Sequence, residues 1–461
     1  MSGRIDFTVG FKRAGESHER NSDGCYRIYV LGNFSGRTSV PLGLRKIIPV
    51  TLDEFERVMA QVEPTFEWES GLRLRFQALE DFHPDVWLPK VPIIADLLAL
   101  KRELSNPVTA DKAAAKIQAF LPADEAGKED ALETQAPDET EAEMLERLLG
   151  RKPESTMLQA QSVDRLIERI VSPHISPTVQ VRHQRLLGLI DTAISQYLRI
   201  ILRQPGFQAL ESLWRATAGL LNEDFADEQS VFLVDISQAE LLADVQSGGQ
   251  GLRQKLLQHL QTGDGEREVL LIGDYRFSAG ESDVELLGLC GRLANACGGH
   301  FLAAADASLI ENAILPAAGQ AEKRNLVQGI NAGSVILAYP RYLLRLPYGE
   351  KRDPLETLAF EECSAVPHVD ELSWGNPAFL CARALVRVCR AENAQEEALF
   401  FADIPGFAFT KDDERILQPG TETVLTEAQA NALLSQGIMP LIGYHRQQGV
   451  RLLAISPLSY H

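Results

Sequence analysis

Asp274 is the residue whose surroundings best suit chemistry. It follows Val269–Ile272, a short, continuously apolar run of the kind that forms a strand buried on both faces. In α/β folds binding sites lie beyond the ends of such strands, so a carboxylate here could act as a general base. Capping a turn is the simpler role and the preferred one. Glu361 and Glu362 are adjacent acids, a pattern that reads as a solvated turn rather than an acid–base couple. Gly248-Gly249-Gln250-Gly251 follows a helical pattern without a Lys-Ser/Thr pair after it, so it reads as a loop and not a phosphate cradle. No G-x-S-x-G nucleophile elbow is present.

Metal and redox chemistry find no better support. The nine histidines never fall at ligand spacing with Cys or acidic partners on one helix; His174 and His183 are separated by Pro177. Cys25, Cys290, Cys297, Cys363, Cys381 and Cys389 form no C-x-x-C pair. Cys290 and Cys297 lie on one face of an apolar helical stretch, which predicts buried structural thiols. Trp214 and Trp374 sit in apolar patterns that suit packing. The sequence predicts no catalytic residue, no cofactor, no metal and no small-molecule substrate.

The elements that would position these residues alternate in type. Tyr26–Leu31 reads as a strand closed by the turn Gly32-Asn33-Phe34-Ser35-Gly36. Thr51 with Glu54 three residues on resembles a capping box for the helix that follows. Leu72–Phe76 alternates as a half-buried strand, and Pro92 opens a helix that stops before Asn106-Pro107. Helical periodicity then runs over Val179–Leu202 and Gly206–Leu221. Val231–Val234, Val269–Ile272 and Phe301–Ala305 are buried strands between helices, which implies an α/β core with parallel pairing. The last hundred residues are more β-like, interrupted by a helix capped by Thr426 and closed by Gly437. VLGNFSG (Val30–Gly36) and LIGDYRFSAG (Leu271–Gly280) echo each other, through either a shared turn or a duplication.

Composition sets the outer bounds. The formal charge of −19 and pI near 5.0 argue against nucleic acid or an anionic membrane as partner, since both require a Lys/Arg surplus. Nine acids and one Lys between Asp124 and Glu143 carry much of that charge. This stretch has too few apolar groups to offset its ordering entropy and reads as a flexible linker over 122–143. No apolar run reaches the length of a signal peptide core or a membrane span, so a cytoplasmic location is expected.

The motifs around these elements resemble a known family. VLGNFSG, LDEFERVMAQVEP and the run Leu72–Leu104 resemble the small (TssB-like) sheath subunit of type VI secretion systems. RQPGFQALESLWRATAGLL, LLIGDYRFSAGESDVELLGLCGRLANACGGHFLAAAD, YPRYLLRLPYG and WGNPAFLCARAL resemble the large (TssC-like) subunit, with LPYG (Leu346–Gly349) before WGNPAF (Trp374–Phe379) the most specific pair. The resemblance implies a contractile tail-sheath-like fold, α/β and α+β overall, with a mixed sheet flanked by helices. A small-subunit-like region (1–121) would dock on a large-subunit-like region (144–461) across the linker.

The implied role is structural. Partners would be type VI sheath subunits, baseplate or inner-tube proteins, in a homo- or hetero-oligomer held by strand exchange. The exchanging segments would be the arm Ser155–Thr178 and the terminal strand, with Val450, Arg451, Leu452, Leu453, Ala454 and Ile455 at the interface. Glu427, Gln429, Asn431 and Gln436 would lie on a helix facing the inner tube. The fusion, a shortened stretch between Asp306 and Tyr339 and the weakly charged end of the tube-facing helix suggest a specialised component at an end or baseplate. The alternatives are a full sheath protomer that polymerises alone and an α/β enzyme with Asp274 in its site.

Overall fold

The computed structural model describes residues 26–37, 41–68, 71–106, 108–119, 179–223, 230–246, 251–261, 267–314, 332–390 and 395–455. The linker 122–143, the arm Ser155–Thr178, Cys25 and His174 lie outside these residues.

A nine-stranded sheet organises the chain. Its strands are β1 (Tyr26–Gly32), β2 (Ile48–Pro49), β3 (Val231–Asp235), β4 (Glu268–Phe277), β5 (Gly299–Ala305), β6 (Val335–Tyr339), β7 (Phe400–Phe401), β8 (Ile438–Gly443) and β9 (Val450–Leu452). The order across the sheet is β7-β9-β8-β6-β5-β4-β1-β3-β2. From β8 to β3 every neighbouring pair is parallel, and the antiparallel pairs are at the two ends. The sheet is therefore mixed, with its parallel part where the sequence shows continuous apolar runs.

Those runs are continuous because both faces are covered. Ile28 and Val30 of β1 join Leu270 and Ile272 of β4 in one core, while Tyr29, Leu31 and Leu271 point into the other. The helices α2 (Pro92–Ser105), α3 (Val179–Leu202), α4 (Pro205–Leu221) and α8 (Pro377–Arg390) supply the first core; α1 (Phe55–Val62) adds Phe55, Val58 and Met59 to it. The second core lies under α5 (Gln238–Gln246), α6 (Gly251–Gln261) and α7 (Glu281–Ala296), with Cys290 and Cys297 inside it. Burial drives the thiol of Cys290 far up and that of Cys297 up to about 11, so both stay protonated and inert, as expected of structural cysteines.

β1 lies in the middle of the sheet, in register with β3 on one side and β4 on the other. The small-subunit-like stretch is thus part of the same core as the rest. Gly36 closes the turn after β1 at φ +69°, and a Cβ there would meet the carbonyl oxygen of Thr65 at 2.2 Å, so only glycine fits. Two local expectations need correction. α1 begins at Phe55, not after Thr51: the Thr51 hydroxyl accepts from Glu54 N at 3.3 Å within the preceding turn, and the buried Phe55, Val58 and Met59 set the helix register. In the echo, Gly32 ends β1 whereas Gly273 lies inside β4, so the two segments do not share a turn.

α9 (Glu427–Ser435) is bounded as its sequence predicts. Thr426 and Gln429 form a reciprocal capping box, and Gly437 follows the helix at φ +79°.

Candidate functional site

The C-terminal corner of the sheet holds the expected exchange segment. β9 pairs antiparallel with β8, Leu441 opposite Leu452 and Gly443 opposite Val450. On its other side β7 covers it, Phe400 opposite Arg451 and Phe401 opposite Val450. Within the single chain, Val450–Leu452 is therefore paired on both sides. Leu452 N donates to Leu399 O at 2.9 Å and Leu453 N to Pro440 O at 3.2 Å. Val450, Leu452 and Ile455 are buried; Arg451, Leu453 and Ala454 are half-buried. β7 is only two residues long, and Arg387 Nη1 donates to the Phe400 carbonyl, which blunts that edge. The corner is fixed from beneath by Arg383 and Arg387 of α8. Both stack on Phe401 and share Glu223, and Arg383 also reaches Asp403.

A second feature was misread from the sequence. Glu362 is not in a solvated turn but buried, clamped bidentately by Arg345 at 2.7 and 2.9 Å. Arg345 Nε also donates to Glu211 Oε1 of α4 at 2.7 Å, and Arg215 donates to the same oxygen at 2.9 Å. The guanidinium lies 4.1 Å from the centroid of Tyr348, whose backbone N–H donates to Glu362. Two carboxylates thus meet two guanidiniums. Burial opposes the charge on Arg345, but Glu211 and Glu362 outweigh it and hold its pKa well above the ordinary value. Burial likewise opposes ionisation of Glu211, yet Arg345 and Arg215 keep its carboxyl below the usual range. The signal in the sequence was a charge inside an apolar run: Arg345 between Leu344 and Leu346, and Glu211 one turn from Trp214.

The WGNPAF motif has a comparable task. Trp374 Nε1 donates to Val369 O at 2.8 Å. The Asn376 amide donates to Gly273 O and Tyr275 O, the stretch of β4 where its register with β5 shifts, and its Oδ1 accepts from Ala378 N at the start of α8. LPYG and WGNPAF therefore fasten the long irregular segment between β6 and α8 to the sheet and to α4.

On α9, Glu427, Asn431 and the C-cap Gln436 are exposed. Gln429 is half-buried, and its amide oxygen accepts from Thr426 N at 2.9 Å, so this side chain serves the cap.

Asp274 lines an open cleft of about 230 Å³ beyond the end of β1, together with Asn33, Thr65, Glu67, Ser237 and Gln238. Desolvation pushes its carboxyl up to about 6 against the hydrogen bond from Asn376, although the residue is only half-buried. Among the described residues no His, Cys, Lys or Arg lines the cleft, and the Ser237 hydroxyl is engaged with Glu240. Asp274 with only Glu67, an exposed acid paired with Arg73, as a second carboxylate and no free nucleophile beside it does not make a catalytic constellation. Among the described residues no group of His, Cys, Asp and Glu could hold a metal ion, and no helix is long and apolar enough to cross a membrane.

Comparison with known proteins gives this arrangement its context. Residues 184–456 match the family model VipB, described as EvpB/VC_A0108, tail sheath N-terminal domain. The chain belongs to the VipB tail sheath family. Residues 4–129 match a second model, described as Type VI secretion system, VipA, VC_A0107 or Hcp2, so the chain is a fused sheath protein. It is 27% identical over 287 residues to the "Type VI secretion system sheath protein TssC1" of Pseudomonas aeruginosa, a match covering 56% of this chain and 58% of that relative. The chain thus spans less than two thirds of the relative's length. Both family models overlay one fold: the VipA stretch contributes β1 to the sheet whose other central strands lie in the VipB stretch.

Proposed function

We propose that this fused sheath protein is a non-enzymatic, cytoplasmic structural unit of a type VI apparatus, attached to sheath subunits or the baseplate by strand exchange at its C-terminal corner. The observation that carries the reading is the unequal cover of the last strand. Its inner side is bonded through to Leu453, whereas β7 and Leu399 cover its outer side only as far as Leu452. A neighbour's strand could continue from there, since main-chain pairing is indifferent to side chains. In this reading 1–121 and 144–461 form one protomer across the linker 122–143, and α9 turns Glu427, Asn431 and Gln436, with Gln429 at its cap, toward an inner tube.

Electron microscopy of the purified protein, alone and mixed with separately produced small and large sheath subunits, tests the proposal. Incorporation into sheaths or attachment at their ends is expected. Rings or tubes formed by the protein alone would favour the self-polymerising protomer instead. A monodisperse species that ignores sheath subunits at every concentration would overturn the reading.

A further inference from the structure

The cleft over Asp274 has a composition that calls for a particular occupant. One wall is apolar, from Phe66 of the hairpin Thr65–Glu67/Arg73–Arg75 and from Ala209, Leu210 and Leu213 of α4, while Asn33, Thr65, Ser237 and Gln238 make the rest of the lining polar. Asp274 is a half-buried acid in its lining, packed on one side against the start of the turn after β1. A Cβ on Gly32 would stand 2.7 Å from Leu213 and 3.3 Å from the Cβ of Asp274. Among the described residues Asp274 makes no ion pair, and the Asn376 amide, which only partly offsets its desolvation, donates to the carbonyls of Gly273 and Tyr275 in β4. Glu67 at the rim is exposed and paired with Arg73 at 2.6 Å.

A slot with an apolar wall, polar groups opposite and an anion within matches a long side chain that lays a methylene stem on the apolar side and carries a cation at its tip. The volume is below the ~300–1,000 Å³ of small-molecule sites, which fits one side chain better than a metabolite. We propose that this cleft receives a lysine or arginine side chain from a neighbouring protein subunit, with Asp274 as its counter-ion. Docking of the cation restores the electrostatic partner that the fold withholds, and a charge-assisted hydrogen bond follows. The inference is independent of the strand-exchange reading, because it concerns another part of the surface and is tested on the isolated chain.

The test is methyl NMR of the full chain, following Leu210 and Leu213 during titration with n-butylamine and n-butylguanidine, with n-butanol and n-butyrate as controls. Saturable shifts in the millimolar range are expected from the two cations only, and they should vanish in Asp274→Asn. Ala209→Phe, which fills the cleft from its exposed rim without touching the carboxylate, should abolish them too. It carries the comparison if Asp274→Asn fails to fold. Equal shifts from n-butanol would reduce the cleft to an apolar dent, shifts from n-butyrate alone would make it an anion site, and no saturable shift would leave it without an occupant. Each of these results overturns the proposal.

Discussion

Trp214 of α4 donates its indole N–H to the carbonyl oxygen of Phe34 at 3.0 Å, 180 residues away in sequence. The same indole stands edge-on to Phe34 and Phe55, with ring centroids 5.1 and 5.6 Å apart. One side chain of the VipB stretch thus satisfies and covers the turn that follows the central strand of the VipA stretch. Nearby, Ser35 N donates to Asp235 Oδ1 at 3.1 Å, and Asp85 accepts from Glu356 N and the Thr357 hydroxyl at 2.8 and 2.7 Å.

These contacts predict that the two stretches stay together without a covalent link. Cutting the chain near Ala136 should leave two fragments that co-elute in size exclusion at moderate salt, because separating them removes β1 from between β3 and β4. Trp214→Phe keeps the ring but leaves the Phe34 carbonyl buried and unpaired, a cost of about 1–3 kcal/mol in urea unfolding. Fragments that separate freely would mean that the sheet does not hold them.

The Arg345 cluster predicts a larger effect. Arg345→Met leaves Glu211 and Glu362 buried without their shared cation, and losing one partner of such a network costs about 3–5 kcal/mol. Arg345→Lys should rescue little of it, because an ammonium cannot bond Glu362 bidentately and Glu211 through Nε at once. Chemical denaturation of the three proteins checks both statements; full stability in the lysine variant would show that only net charge matters here.

How far the sequence discloses this fold depends on whether the information is local. The strands β3, β4 and β5 and the helices α3 and α9 are legible because apolar periodicity and caps are local signals. The buried role of Glu362 is hidden because its partner Arg345 lies 17 residues away and that arginine's other acid, Glu211, lies 134 residues from it, and no spacing rule spans such distances. The placement of β1 between β3 and β4 was equally invisible, since a parallel strand carries no mark of its neighbours' identity. The pattern that did show a candidate surface, the apolar run Val450–Ile455, correctly signalled a strand that must be paired. It did not disclose that β7 and β8 provide partners within the chain.

Asp274 predicts an unusual dependence on pH. Its folded pKa, raised to about 6, exceeds the ordinary 3.8, so between these values the folded state holds a proton that the unfolded state has lost. Stability should therefore fall as pH rises from about 4 to 6. The loss is bounded by about 3 kcal/mol and reduced by whatever water the cleft admits. Asp274→Asn should remove this contribution and be more stable than the parent at pH 7.5 but not at pH 4. Parallel melts of both proteins across that range check the sign; an asparagine variant that is less stable at high pH would mean that the carboxylate has a partner when ionised.

The last prediction separates donated pairing from internal pairing at the corner. Leu453 is a poor place to interrupt the strand, because its N–H donates to Pro440 O and Leu453→Pro would break an internal bond as well. Alternation along an extended chain points the next N–H, that of Ala454, to the other side, where β7 no longer reaches. Ala454→Pro removes that outward donor and leaves the Leu453–Pro440 bond in place, and proline also favours the extended conformation in the residue before it. The variant should unfold within about 1 kcal/mol of the parent, since no internal bond is lost. If a neighbour's strand pairs here, the same variant should fail to associate with sheath subunits in sedimentation and electron microscopy. Undiminished association would exclude the outer side of Leu453–Ile455 as the exchange surface and move the interface elsewhere on the molecule.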